Sequence, residues 1–403
     1  MRTFENHRFE NHRLVVWLLA CLVLLLLNSG YLYAFESPTL FYVGNVFLHL
    51  FLGLLLLVLG TGFAIRHWPR FGFVARAATL TLAVAGASGA TLMVTGATRP
   101  YYWLLLGHII VSCAGVVLLL TAIAQAHGPW RLLVSASLAA ALIPAGVAVW
   151  QRAYPDPKWK IANPTLTPIS MEYEGAGPKS PFFPSAANTD VNHTIPSSFF
   201  MKPESCGNQG CHPDIYRQWS SSAHHFSSFN NQWYRKSIEY MQDVVGTKPS
   251  KWCGGCHDHA VFFNGMMDTP IKRQISRPEA QAGLTCTSCH SIVSVKSVMG
   301  NGNFVIEYPP LHDLATSENP FIRAAHDYAI KVDPGPHRRT FLKPFFRGQT
   351  AEFCSACHKV HLDIPVNHYR WSRGFNDYDG WQNSGVSGNS ARAFCRFRVW
   401  MPP

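Results

Sequence analysis

The sequence is poor in charge. Only 14% of its 403 residues are Asp, Glu, Lys or Arg, against about 25% in ordinary soluble domains. Between residues 14 and 151 charge almost vanishes, leaving Glu36, Arg66, Arg70, Arg76, Arg99 and Arg131 among apolar runs. Stretches of that length and polarity exclude a water-soluble first half. No glycine-rich phosphate loop, hydrolase triad or His-Glu-x-x-His metallohydrolase motif occurs, so nucleotide and hydrolytic chemistry have no foothold.

Acidic residues are scarcer than basic ones, 23 against 34, for a formal charge of +11. That excess invites a nucleic-acid partner, but the chemistry described next removes most of it and nucleic acid is not expected.

Cysteine is the exception to this sparseness, and its placement is ordered. Eight of the eleven cysteines fall in four Cys…Cys-His groups: Cys206, Cys211 and His212 in "SCGNQGCHP"; Cys253, Cys256 and His257 in "WCGGCHD"; Cys286, Cys289 and His290 in "TCTSCHS"; Cys354, Cys357 and His358 in "FCSACHK". Histidine fills about one position in twenty, so finding it after the second cysteine four times by chance has odds on the order of one in 10⁵. Zinc needs four ligands per ion and does not require a histidine after each pair. A disulfide across two residues closes a strained loop and leaves the histidines unexplained. Covalent haem attachment uses all three residues: two thioethers to the vinyl groups, and an imidazole to the iron from the same side. In the first group two extra residues separate the cysteines, and Gly207 and Gly210 allow the backbone to bulge without losing thioether reach. Eight haem propionates would bring the charge to about +3, and the basic run from His337 to Arg347 is expected to pair with them.

Each iron needs a second axial ligand or an open position. Outside the motifs the second half offers His193, His224, His225, His259, His312, His326, His337, His361 and His368, with Met266 and Met267 as high-potential alternatives. The surplus of histidine favours bis-histidine ligation. The motif histidines lie at irregular intervals, which excludes a solenoid.

"SCGNQGCHPDIYRQWSSSAHH" resembles the opening of the multihaem cytochrome c family that includes the tetrahaem electron acceptor of hydroxylamine oxidoreductase. In that family the first motif is followed by Tyr and then Trp-x-x-Ser-x-His, here Tyr216, Trp219, Ser222 and His224. The resemblance covers about half the chain. It implies that His224 is the distal ligand of a neighbouring haem, with His225 as its rival, and that haems stand in close pairs. It also implies that one haem can be five-coordinate and reactive. His312, His337 and His368 are the next candidate distal ligands. Cys395 has neither partner nor following histidine; family members continue into further motifs, so a shortened or frameshifted reading is expected there, the alternative being a free buried cysteine.

The apolar half breaks into five expected spans, 14–34, 41–65, 73–95, 102–126 and 132–151, each near the ~20 residues that cross a bilayer. Arg2, Arg8 and Arg13, then Arg66, Arg70 and Arg76, then Arg131 mark the cytoplasmic side. The second half is thereby placed outside the cytoplasm, where covalent haem attachment takes place in c-type cytochromes. His49 and His67 on the second span, and His108 and His127 on the fourth, sit in similar positions. His49 and His108, near the outer face and followed by Gly53 and Gly115, are candidate ligands of a haem b. The inner pair lies beside helix-ending "WPR" and "GPW" and reads equally as interfacial. Cys21 and Cys113 read as packing residues.

The expected fold is mainly α: a transmembrane helical bundle of about five spans over 1–152, a Pro-rich periplasmic linker over 153–200, and a tetrahaem cytochrome c domain of low secondary-structure content over 201–403. The cofactors are four covalent haem c and one or two haem b in the membrane half. The expected function is a membrane-anchored cytochrome of a bacterial inner membrane, N-terminus cytoplasmic and haem domain periplasmic. It would pass electrons between the quinone pool, or another membrane donor, and a periplasmic redox protein. The alternative is a haem enzyme in which a five-coordinate haem acts on a small nitrogen or sulfur compound, with Arg338, Arg339 or His259 guiding the anion.

Overall fold

The computed structural model describes residues 2–125, 143–309 and 311–387, with side chains from residue 13 onward. The chain is mainly helical. It divides into two units: Met1–Pro155 with Asp313–Arg339, and Asp156–His312 with Thr340–Pro403.

Four long helices build the first unit: α1 (Arg2–Phe35), α2 (Leu40–His67), α3 (Phe73–Thr95) and α4 (Tyr102–Gln125). All four contain a stretch long and apolar enough to span a bilayer, over Arg13–Phe35, Leu40–Arg70, Phe73–Thr95 and Arg99–Gln125. These match the first four expected spans within a few residues. The expected fifth begins outside the described residues, and 143–153 is helical. Helical backbone satisfies its own hydrogen bonds, so these segments can turn Trp17, Phe41, Ile65, Phe73 and Ile110 outward toward lipid. The helix starts follow local rules. The Thr39 hydroxyl accepts from the Tyr42 amide at the head of α2, and Gly72 stands at the N-cap of α3.

The segment Asp313–Arg339 belongs to this unit although it begins 188 residues beyond the end of α4. Its helix, Pro320–Val332, opens on an Asn319 cap and a proline in the first turn. It packs at the end of the bundle that carries the α1–α2 and α3–α4 connections. Lys331 donates its ammonium to the Val94 carbonyl at 2.7 Å, and its own carbonyl accepts from the Ala97 amide at 2.9 Å. Gly96, at φ +83°, makes that approach possible, because a Cβ there would lie 2.7 Å from the Lys331 carbonyl oxygen.

The second unit holds many short helices and two small sheets. β1 (Asn188–Thr189) pairs parallel to β3 (Phe304–Ile306), β2 (Ile292–Val295) pairs antiparallel to it, and β4 (Lys359–Leu362) pairs with β5 (Ser372–Asn376). Its core is aromatic: Phe182, Phe199, Phe200, Phe262, Phe263 and Phe304 are buried in one cluster. Three of these come from the stretch read from its prolines as a connector. Proline stops residues 156–200 from forming long helices, but Phe182, Phe199 and Phe200 carry enough apolar surface to dock the strand of chain that bears them.

Candidate haem-attachment sites

Each motif sits where a helix begins or ends. Thr247–His257 carries Cys253, Cys256 and His257 in its last turns. Cys286–His290 is itself one short helix, opened by a reciprocal Thr285–Ser288 capping box. At the fourth motif the His358 amide donates to the Cys354 carbonyl at 3.0 Å, a single helical turn that puts both cysteines and the histidine on one side. The first motif reaches the same closure by another route. There the His212 amide donates to the Cys206 carbonyl at 2.9 Å across the longer loop. Gly210 turns at φ +87°, and a Cβ at Gly207 would lie 2.7 Å from the Tyr216 ring. Both glycines are therefore needed for the bulge.

The imidazoles are oriented from behind. His257 donates from Nδ1 to the Ser227 carbonyl at 2.8 Å and stacks on Tyr234, with ring centroids 4.4 Å apart. His290 donates from Nδ1 to the Phe341 carbonyl at 2.8 Å and stacks on Phe346. His358 has Asp377 at 3.3 Å from Nδ1. A carbonyl acceptor at Nδ1 fixes the tautomer and leaves the lone pair on Nε2, the form that binds a metal. Burial, and then the neighbouring His358, keep His257 below the usual imidazole range and hence neutral. Behind His257 the Asp258 carboxyl is fully buried and pushed up to about 7, where it accepts from Ser228 and Tyr234.

Thiolate character, on which redox dithiols and zinc sites depend, is uneven among the motif cysteines. Burial pushes Cys253 and Cys289 up to about 12. Cys206 is drawn down by its hydrogen bond with Cys286. Among the described residues no three His, Cys, Asp or Glu side chains converge as a zinc ion would require. The thiols, all free, meet across motifs: Cys206 is hydrogen-bonded with Cys286, and Cys256 with Cys357. The first motif thus stands beside the third, and the fourth lies near both the second and the third.

The spare histidines separate into distinct environments. His224 faces His358 with ring centroids 6.2 Å apart and planes at 89°. Two imidazoles bound on opposite sides of one metal at about 2 Å per bond would have centroids about 6.3 Å apart, so the separation fits an axial pair. Burial and then His358 lower the His224 pKa, which keeps it neutral. His225 turns away, stacking on Trp219 at 4.4 Å and donating from Nδ1 to the Ser220 carbonyl. His259 is enclosed by Phe200, Phe263 and Phe304 and donates from Nε2 to the Gly255 carbonyl. His361 engages Glu174 through Nε2 at 2.6 Å. Met267 is buried in the aromatic core.

The other candidates lie apart. His312 packs against Phe199 and Tyr308, at 4.7 and 5.6 Å. His368 is exposed at φ +58°, and His193 is exposed as well. His326 and His337 belong to the segment grouped with the membrane helices. Arg338 of the same segment pairs with Glu36 at 2.6 Å. His127 and Cys395 lie outside the described residues.

In the membrane unit His49 and His108 face each other, with ring centroids 6.5 Å apart and planes at 80°. The glycines singled out beside them do not line that gap. Gly53 faces open space, and a Cβ at Gly115 would meet Leu82 of α3. Gly89 is the residue that makes room, since a Cβ there would lie 2.9 Å from the His108 ring.

No protein-family model, curated protein or solved structure matches this chain.

Proposed function

We propose that the chain is a membrane-anchored multihaem c-type cytochrome, related to the family its first motif resembles, that carries electrons between a membrane donor, such as the quinone pool, and a periplasmic redox protein. The observation that carries the reading is the set of Cys…Cys-His turns, in which His257 and His290 present Nε2 because a backbone carbonyl holds Nδ1. Haem c bound there supplies reversible one-electron chemistry at iron. The protein's own residues supply thioether anchors, oriented imidazoles and, at His358, an opposing ligand in His224. The thiol contacts between motifs one and three, and between two and four, favour side-by-side mounting, the arrangement that suits transfer from site to site.

Placement outside the cytoplasm is supported by charge. Arg66, Arg70 and Arg76 cluster at one end of the bundle, while Asp313–Arg339 of the second half packs at the other. The side-chain contacts offer less to the enzyme reading, because His259 is enclosed and Arg338 is paired with Glu36.

The test is a pyridine haemochrome assay on protein made in a host competent for haem c maturation, after washing with acidified acetone to remove non-covalent haem. Four covalent haems per chain are expected. A colourless product, or one stripped of all pigment by the wash, overturns the reading.

A further inference from the structure

His49 and His108 are the residues that the function above does not use. They lie about 14 and 9 Å along α2 and α4 from the same end of the bundle, at 1.5 Å per residue. Ionisable side chains at such depth are costly to keep without a role.

Each ring is held by the helix that precedes its own. His108 donates from Nδ1 to the Ala85 carbonyl at 2.9 Å, with Ser88 Oγ at 3.2 Å. His49 donates from Nδ1 to Ser29 Oγ at 3.3 Å, and that hydroxyl passes its own hydrogen to the Leu25 carbonyl at 2.7 Å. The two arrangements repeat in sequence as well as in space. Ser29-Gly30 and Ser88-Gly89 each precede their histidine by the same interval, 20 residues from serine to histidine. The bundle therefore contains two like hairpins, each carrying Ser-Gly on its first helix and His on its second.

The consequence is chemical. Both tautomers are fixed with the lone pair on Nε2, and neither Nε2 has a hydrogen-bonding partner among the described residues. Two inward acceptors with no donor between them are unfavourable in hydrocarbon unless something electrophilic binds both. A bare transition-metal ion would ask for further protein ligands, and no group of three exists among the described residues. Haem iron takes its four equatorial nitrogens from porphyrin and asks the protein only for the axial pair. The 6.5 Å centroid separation is close to the ~6.3 Å that two axial bonds of about 2 Å require.

We infer that His49 and His108 are the axial ligands of one non-covalent haem b in the leaflet at the α1–α2 end of the bundle. The inference deepens the proposed function, resting on it only for the haem's role: a one-electron station, alternating between ferric and ferrous iron, inside the membrane half. The inner pair is not included: His67 stacks on Phe63 of its own helix, ring centroids 4.2 Å apart, and His127 lies outside the described residues.

The full chain, purified in detergent, is extracted with acidified acetone, and haem is counted separately in extract and pellet. One extractable haem per chain is expected beside the covalent ones. His49→Ala and His108→Ala should each lower the extractable haem at least about tenfold while the covalent count holds. No extractable haem from wild type with covalent haem intact overturns this inference alone; so does extractable haem that survives both substitutions. Loss of covalent haem from wild type strikes instead at the cytochrome c reading. Where an alanine variant folds poorly, His49→Met separates the cases. It should keep the extractable haem and raise its midpoint potential, as methionine ligation does, and an unchanged potential overturns the assignment.

Discussion

The hydroxyl of Tyr42, in the first turn of a membrane-spanning helix, lies 2.8 Å from a carboxylate oxygen of Asp333 and donates to it. The same hydroxyl is 2.9 Å from the Leu32 carbonyl, so one hydrogen is shared between α1 and a segment from the far end of the chain. Burial raises the Asp333 pKa above the ordinary carboxylate value.

Removing the donor leaves a buried carboxylate short of a partner. Tyr42→Phe is expected to cost about 1–3 kcal/mol in the anchoring of Asp313–Arg339, read as faster proteolysis of that segment in detergent-solubilised protein. Unchanged proteolysis would show that the contact contributes nothing.

The raised pKa has a sign. The folded state holds the Asp333 proton more tightly than the unfolded one, so the contribution to stability is greatest below the unfolded carboxylate pKa and declines as pH rises through the higher folded value. The protection of Asp313–Arg339 should therefore weaken as pH rises above the ordinary carboxylate range. Asp333→Asn should flatten that dependence.

At the fourth motif, His224→Ala is expected to open one axial position. One haem per chain should then become high-spin and bind carbon monoxide, while His225→Ala leaves the spectrum low-spin, since His225 is turned onto Trp219. If both variants behave alike, His224 is not the ligand opposite His358.

The bulged first motif depends on its glycines. Gly207→Ala drives a methyl into the Tyr216 ring, and Gly210→Ala forces a side chain to φ +87°, at a cost of about 1–2 kcal/mol for the backbone. Intact mass should show molecules one haem short, with the deficit mapping to the peptide bearing Cys206 and Cys211. Full occupancy would mean the loop can close another way.

Arg338→Ala breaks an ion pair with Glu36 in which the arginine side chain is 56% exposed. Solvent screening limits its value to about 0–1 kcal/mol, so thermal stability should barely change. A large loss of nitrite binding in this variant would revive the enzyme alternative.

The sequence by itself determined the apolar helices and the Cys…Cys-His turns, because both are local patterns. About 20 apolar residues commit a segment to hydrocarbon wherever the rest of the chain goes, and a Cys…Cys-His turn closes within one helical turn or a short bulge. The approach of His224 to His358 has a related local cue, since His224 stands a fixed distance from its motif in a recurring pattern. The Ser-Gly that precedes each of His49 and His108 was also visible, but its meaning was not, since hydroxyl and imidazole meet only when adjacent helices pack. Tertiary structure alone decided that Asp313–Arg339 joins the membrane unit and that Phe182, Phe199 and Phe200 of a proline-rich stretch enter a core. It also decided that His361 spends its Nε2 on Glu174. These outcomes depend on partners distant in sequence, and no local pattern encodes which distant surface will bury a side chain or claim its lone pair.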